Sequence, residues 1–220
     1  MYYHLNGLVL NTRIQGEADK SAVIYTREWG KISAMVPGAK KIKAKLSAAT
    51  EPVIETDIMV YMAGTTARPK VTGAKILDAF GGLKSDWRRF SMALSCAEIA
   101  DKLTPFHLEN AQKYDLLART WKLIETAKKP WRIYTAFTLR FLKLTGYSFL
   151  DFLKKENSTV TTAEHNAIRQ LALLSGDEVD NGLDISERME KKIDGHMNNY
   201  LRLYIDRPLL SKIFWAKITS

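Results

Sequence analysis

Cysteine is almost missing from this chain of 220 residues, which holds a single one, Cys96. One thiol can neither close an internal disulfide nor build a cysteine cage around a metal, so the sequence fits a reducing cytosol. Because Cys96 lies within an apolar helical stretch, it reads as a small buried hydrophobe rather than a nucleophile. Histidine is equally thin: His4, His107, His165 and His196 stand singly in unrelated segments, which argues against a shared metal site or a catalytic dyad. No run of about 18 apolar residues is present, and Met1-Tyr2-Tyr3-His4-Leu5-Asn6 lacks the charged start and apolar core of a secretion signal. A soluble protein with no membrane contact is expected.

Catalytic strings are missing as well. There is no phosphate-cradling GxxxxGK(S/T), no GxSxG elbow and no HExxH. The acidic stretch Asp177-Glu178-Val179-Asp180-Asn181-Gly182 fails as a calcium loop, because Val179 takes a ligand position and Arg188 stands where the closing glutamate belongs. It reads as an acidic surface turn. No enzyme activity, metal or cofactor is expected.

What the chain does have is positive charge. It carries 33 Lys+Arg against 24 Asp+Glu, a formal net charge of +9. The excess is uneven: eleven basic against seven acidic residues over 1–82, twelve against six over 83–150, and ten against eleven over 151–220. An anionic partner is expected on the first two thirds. The densest point is Val36-Pro37-Gly38-Ala39-Lys40-Lys41-Ile42-Lys43-Ala44-Lys45, a loop after a strand-like run. Such a loop either keeps the protein soluble or meets phosphates, whose neutralisation releases condensed counterions.

Residues 1 to about 80 carry the punctuation of short strands. Tyr3–Ile14, Ala22–Thr26, Lys31–Val36, Val53–Tyr61 and Val71–Leu77 are apolar or β-branched runs, with Gly30 placed for a tight hairpin. Five such strands fit a small barrel of the oligonucleotide/oligosaccharide-binding (OB) type, and the pattern also allows an SH3-like barrel. Beyond Gly81-Gly82 the period turns helical. Helices are expected over Ser85–Lys102, Leu108–Ala127 and Pro130–Leu144, then from Thr161, with Glu164 in capping-box spacing, and after Asp184, with Glu187 at the matching place, down to Pro208. Ser148–Val160 and Ser175–Asp184 read as surface loops. The fold class is therefore α+β, a five-stranded OB-type barrel over 1–82 followed by an all-helical domain over 83–220.

A family resemblance now emerges from the residues. Gly7-Leu8-Val9-Leu10, Arg13, Gly16-Glu17-Ala18-Asp19-Lys20, Thr26-Arg27-Glu28-Trp29-Gly30-Lys31-Ile32, Gly38-Ala39-Lys40-Lys41 and Glu51-Pro52 follow one another as in the bacterial RecO DNA repair family. Leu77-Asp78-Ala79-Phe80 with Leu83-Lys84-Ser85-Asp86, Leu139–Leu144 before Gly146-Tyr147, and the tail Arg207-Pro208-Leu209-Leu210-Ser211-Lys212 with Phe214 extend the likeness. The resemblance implies a recombination mediator that binds single- and double-stranded DNA and anneals complementary strands. It further implies work with RecR to load RecA onto DNA coated by single-strand binding protein (SSB), in the cytoplasm at the nucleoid. Many relatives carry a four-cysteine zinc site after the Gly-Tyr pair. Ser148–Val160 has no cysteine or histidine, so zinc is not expected.

The phosphate candidates are Arg13, Arg27, Lys31, Lys40, Lys41, Lys43, Lys45, Arg68 and Lys70, with Tyr25, Trp29 and Tyr61 either stacking platforms or packing residues. On the helical part, Arg119, Lys122, Lys128, Lys129, Arg132, Arg140 and Lys143 interleave with Trp121, Trp131, Tyr134, Phe137 and Phe141. A basic rim around an apolar pocket suits an acidic peptide ending in an aromatic residue, such as the SSB tail, and the expected pocket lies near the third helix. The partner-site residues are Arg119, Lys122, Arg132, Arg140, Lys143, Trp131 and Phe141. The rival readings are an RNA-directed barrel and a hydrolase of undescribed type.

Overall fold

The computed structural model describes residues 1–38, 45–64, 67–155, 160–205, 209 and 211, which form five strands and nine helices. Strands β1 (Tyr2–Gln15), β2 (Asp19–Thr26), β3 (Gly30–Val36), β4 (Glu55–Tyr61) and β5 (Lys70–Asp78) close into a barrel in the order β1-β2-β3-β5-β4, with the short helix α1 (Lys45–Ala49) between β3 and β4. The closure is the parallel β3–β5 pair, and the other pairs are antiparallel. This is the five-stranded arrangement expected from the strand spacing. Alternation supplies the barrel's core: Leu5, Val9, Ala22, Ile24, Ile32, Ala34, Val36, Ile58, Val60 and Val71 point inward and are buried.

Gly30 makes the β2–β3 turn possible. It adopts a φ of 65°, and a Cβ there would run into the Leu108 carbonyl, so any side chain would force the following helices off the barrel.

The helical part consists of α2 (Gly81–Ser85), α3 (Trp87–Leu103), α4 (Ala111–Thr126), α5 (Pro130–Leu144), α6 (Phe149–Lys155), α7 (Thr162–Leu173), α8 (Gly176–Asn181) and α9 (Glu187–Leu201). Side chains set the starts. Asp86 Oδ1 accepts the Arg88 N–H at 2.9 Å, Asn110 Oδ1 accepts that of Lys113 at 3.0 Å, and Pro130 opens α5. Helix α5 is central and buries Ile133 through Leu139 in an unbroken run, because α3, α4, α7 and α8 surround it. Trp121 fills the space between α3 and α4 and donates its indole N–H to the Ala93 carbonyl at 3.1 Å.

The barrel and helices share a core. Leu8, Leu10, Tyr25 and Val53 join the helical cluster, so β1 is covered on both faces there and reads as the continuous buried run Gly7–Leu10. Polar contacts reinforce the joint. Lys31 is buried under the Phe106 ring and pairs with Asp101 at 3.3 Å, Arg27 pairs with Asp115, and the Tyr114 hydroxyl donates to Glu55 at 3.1 Å.

Several sequence expectations need correction. Ser148–Val160 and Ser175–Asp184 are not plain loops: α6 buries Phe149 and Leu153, and α8, closed by a Ser175/Glu178 capping box, buries Val179. The stretch read as an acidic turn is that capped helix. Helix α9 is capped by Ser186, not Asp184, and ends at Leu201, well before Pro208.

Glu164 ties α7 to α9. The Thr161/Glu164 capping box is formed, and Lys192 reaches the same buried carboxylate at 3.0 Å. The backbone N–H of Thr161, and then Lys192, hold its pKa down from 4.5 to about 2, against the opposing effect of burial. A depressed carboxylate contributes stability above its unfolded pKa, and that contribution is lost as pH falls through the folded value. The thermal midpoint of Glu164→Gln should therefore lie below wild type near neutrality, and the gap should close between about pH 4.5 and pH 2. A gap that stays constant across that window would exclude the linkage.

Candidate nucleic-acid interface

Register decides which outward side chains meet. Arg13 pairs with Ser21, Ser21 with Met35, Met35 with Lys70, Lys70 with Tyr61 and Tyr61 with Tyr2. One row thus crosses all five strands, leaving β1 at Arg13 and returning to it at Tyr2, an offset that is the stagger of the closed barrel. Arg13, Lys70, Tyr61 and Tyr2 are exposed along it. The Tyr2 and Tyr61 rings lie 5.1 Å apart, with Tyr2 62% and Tyr61 37% accessible.

Arg68 lies across the neighbouring strands. From the β4–β5 connection it donates to Gln15 Oε1 at 2.9 Å, Ser33 Oγ at 3.0 Å, the Ser33 carbonyl at 3.4 Å and Ser21 Oγ. All four acceptors are neutral, so the guanidinium is fixed in place while its charge stays uncompensated among the described residues. Lys70 and Arg13 likewise have no carboxylate partner among the described residues, although Arg13 also borders a cleft of about 320 Å³ whose walls include Glu98 and Asp101. The result is a positive outer face beside two accessible rings, which can hold a sugar-phosphate chain and stack an unpaired base.

The remaining phosphate candidates divide. Lys31 is removed from the set: it is 4% exposed, and its ammonium is held by Asp101 and the Phe106 ring. Arg27 is half exposed but paired with Asp115. Lys40, Lys41 and Lys43 lie outside the described residues, and Lys45 begins α1. Among the aromatics, Tyr25 is core, with burial pushing its hydroxyl up to about 12. Trp29 is half-buried edge-on against Tyr3 at 4.7 Å, so Tyr61 is the ring left accessible. Tyr2 was not anticipated; only the β1–β4 register brings it beside Tyr61.

On the helical part, Arg119 and Arg140 face a groove of about 230 Å³ floored by Leu116, Leu123, Ile133 and Phe137, with Asp115 on its wall. Arg140 also donates to the Ala172 carbonyl at 3.0 Å and to that of Leu174, closing the C-terminal end of α7. Burial first, and then the charge of Arg119, push the Arg140 pKa down, as expected for two neighbouring guanidiniums. The other partner-site candidates are elsewhere. Arg132 is buried and pairs with Glu190, and Phe141 is core. Trp131 lines a separate cavity with Met92 and Tyr134, exposed Lys122 faces Glu55 at 3.8 Å, and Lys143 is exposed. Among the described residues, no group of three or more His, Cys, Asp or Glu is placed to hold a metal, and no helix is long and apolar enough to cross a membrane.

Fold and site together define a protein with an OB-type barrel, basic on its outer face, joined to a helical bundle. Comparison with known proteins gives the family. Residues 1–80 match the model for the recombination protein O N terminal and residues 84–152 that for its C terminal, and the chain belongs to the RecO family. It is 35% identical over 145 residues to the DNA repair protein RecO of Heliobacterium modesticaldum, covering 66% of this chain and 52% of that protein. It is 31% identical over 158 residues to RecO of Streptomyces griseus, covering 68% and 64%. With RecO of Thermobifida fusca the figures are 30% over 151 residues, 66% and 60%. The match thus spans between half and two thirds of these relatives' length.

Proposed function

We propose that this chain is a non-enzymatic mediator of DNA repair and recombination. In this reading the barrel, over 1–82, binds single- and double-stranded DNA and anneals complementary strands. The helical domain, over 83–220, receives the acidic SSB tail and, with RecR, takes part in loading RecA onto SSB-coated DNA. The observation that carries the reading is the placement of Arg68 and Lys70, without a carboxylate partner among the described residues, beside Tyr61 and Tyr2 on the barrel's outer face. Family membership and the names of the relatives support it. Annealing of complementary oligonucleotides coated with SSB is the direct test: acceleration by the protein is expected, and RNA binding without DNA annealing would favour the RNA-directed alternative.

Two variants test the parts. Stacking one base on an aromatic ring contributes about 1–3 kcal/mol, so Tyr61→Ala should weaken single-stranded DNA about fivefold while leaving duplex affinity nearly unchanged, as read by fluorescence anisotropy. An equal loss on both would remove the stacking role. In the groove, a charge-assisted hydrogen bond is worth about 1.5 kcal/mol or more. Arg119→Ala should therefore weaken an acidic peptide ending in phenylalanine about tenfold, measured by calorimetry. An unchanged affinity would move that peptide's site elsewhere.

A further inference from the structure

We infer that Asp115 sets the groove's affinity for an acidic peptide and, through its ion pair with Arg27, couples that groove negatively to DNA on the barrel; this rests on the functions just proposed for groove and barrel. Asp115 stands one helical turn before Arg119 on α4 and lines the same groove. An unshielded carboxylate there repels an acidic peptide. Here it is shielded, because Oδ1 accepts a hydrogen bond from Arg27 Nη1. Arg27 belongs to the β2–β3 turn of the barrel, and its guanidinium lies 5.7 Å from the centre of the Tyr114 ring.

The pair is built to exchange partners. The Arg27 side chain is 48% and that of Asp115 54% accessible, so solvent and phosphate can reach both ions. That contrasts with Lys31 and Asp101, another ion pair across the same joint, whose lysine side chain is 5% accessible. A phosphate that draws Arg27 towards itself leaves Asp115 bare at the groove wall, and the peptide is weakened. Linkage makes the effect mutual: a bound acidic peptide tightens the hold of Asp115 on Arg27 and weakens DNA by the same factor. The barrel and the groove thereby hand over from one polyanion to the other.

The experiment follows a fluorescently labelled acidic peptide ending in phenylalanine, titrated with the full chain in the presence and absence of saturating oligothymidylate. An accessible ion pair contributes modestly, so DNA should weaken the peptide about threefold in the wild type. Asp115→Asn should bind the peptide more tightly without DNA and lose the DNA effect. Arg27→Ala should bind it more weakly from the outset, with no further loss on adding DNA. Equal wild-type affinities with and without DNA, both ligands being bound, would overturn the coupling. So would a weakening that survives in Asp115→Asn, since that marks direct repulsion between the two polyanions. A peptide that never binds overturns the groove reading itself, and the coupling falls with it.

Discussion

Replacing Arg132 with methionine should lower the unfolding free energy by about 3–5 kcal/mol, the range for breaking a buried ion pair from one side. Arg132 is 6% exposed on α5 and donates to Glu190 at 2.9 Å, to the Leu183 carbonyl at 2.7 Å and to the Ile185 carbonyl at 3.0 Å. One guanidinium therefore ties α5 to the segment before α9 and to α9 itself. Methionine keeps much of the volume but leaves a half-buried carboxylate and two carbonyls without their donor. Equilibrium urea unfolding gives the number. Because none of these contacts reaches the barrel, DNA affinity of the folded variant should match wild type. A loss under about 1 kcal/mol would contradict the structural role and return Arg132 to the candidates for partner binding.

Converting Lys40, Lys41, Lys43 and Lys45 together to alanine should flatten the salt dependence of single-stranded DNA binding. Four phosphate contacts correspond to a slope of about −3 in log affinity against log salt, which is a weakening of about 50-fold between roughly 50 and 200 mM. These lysines lie outside the described residues or begin α1; before them, Met35 pairs with Lys70 and the Gly38 N–H donates to Asp19 at 2.8 Å. The quadruple variant should keep the smaller slope due to Arg68, Lys70 and Arg13. An unchanged slope would make the lysines solubilising residues only.

These arginines and lysines mark how far a sequence alone reaches. The five strands were legible to within a few residues because their β-branched runs are bounded by turn residues, Gly30 above all. Helix α5 was legible at both ends, since Pro130 fixes its start and Gly146, at a φ of 86°, follows its last turn. Helices α6 and α8 were not, because a helix of two turns with one or two buried residues has no period to detect. Positive charge could be counted from the sequence, but its partners could not. Asp101 lies 70 residues from Lys31, Asp115 lies 88 from Arg27, and Glu190 lies 58 from Arg132. Only the fold separates those paired cations from Arg68 and Lys70, which have no carboxylate partner among the described residues. A groove lined by Arg119 and Arg140 lies beside α5, but Lys122, Arg132, Lys143, Trp131 and Phe141 do not line it, and its acidic wall at Asp115 had no signal in the sequence.

In the function proposed here, the barrel's outer face holds sugar-phosphate chains without covalent chemistry. A salt titration of wild-type protein against a labelled single-stranded oligonucleotide tests it most directly. Saturable binding in dilute buffer that falls linearly on a log–log plot as salt rises is the predicted result. No binding in dilute buffer, or binding indifferent to salt, would contradict it.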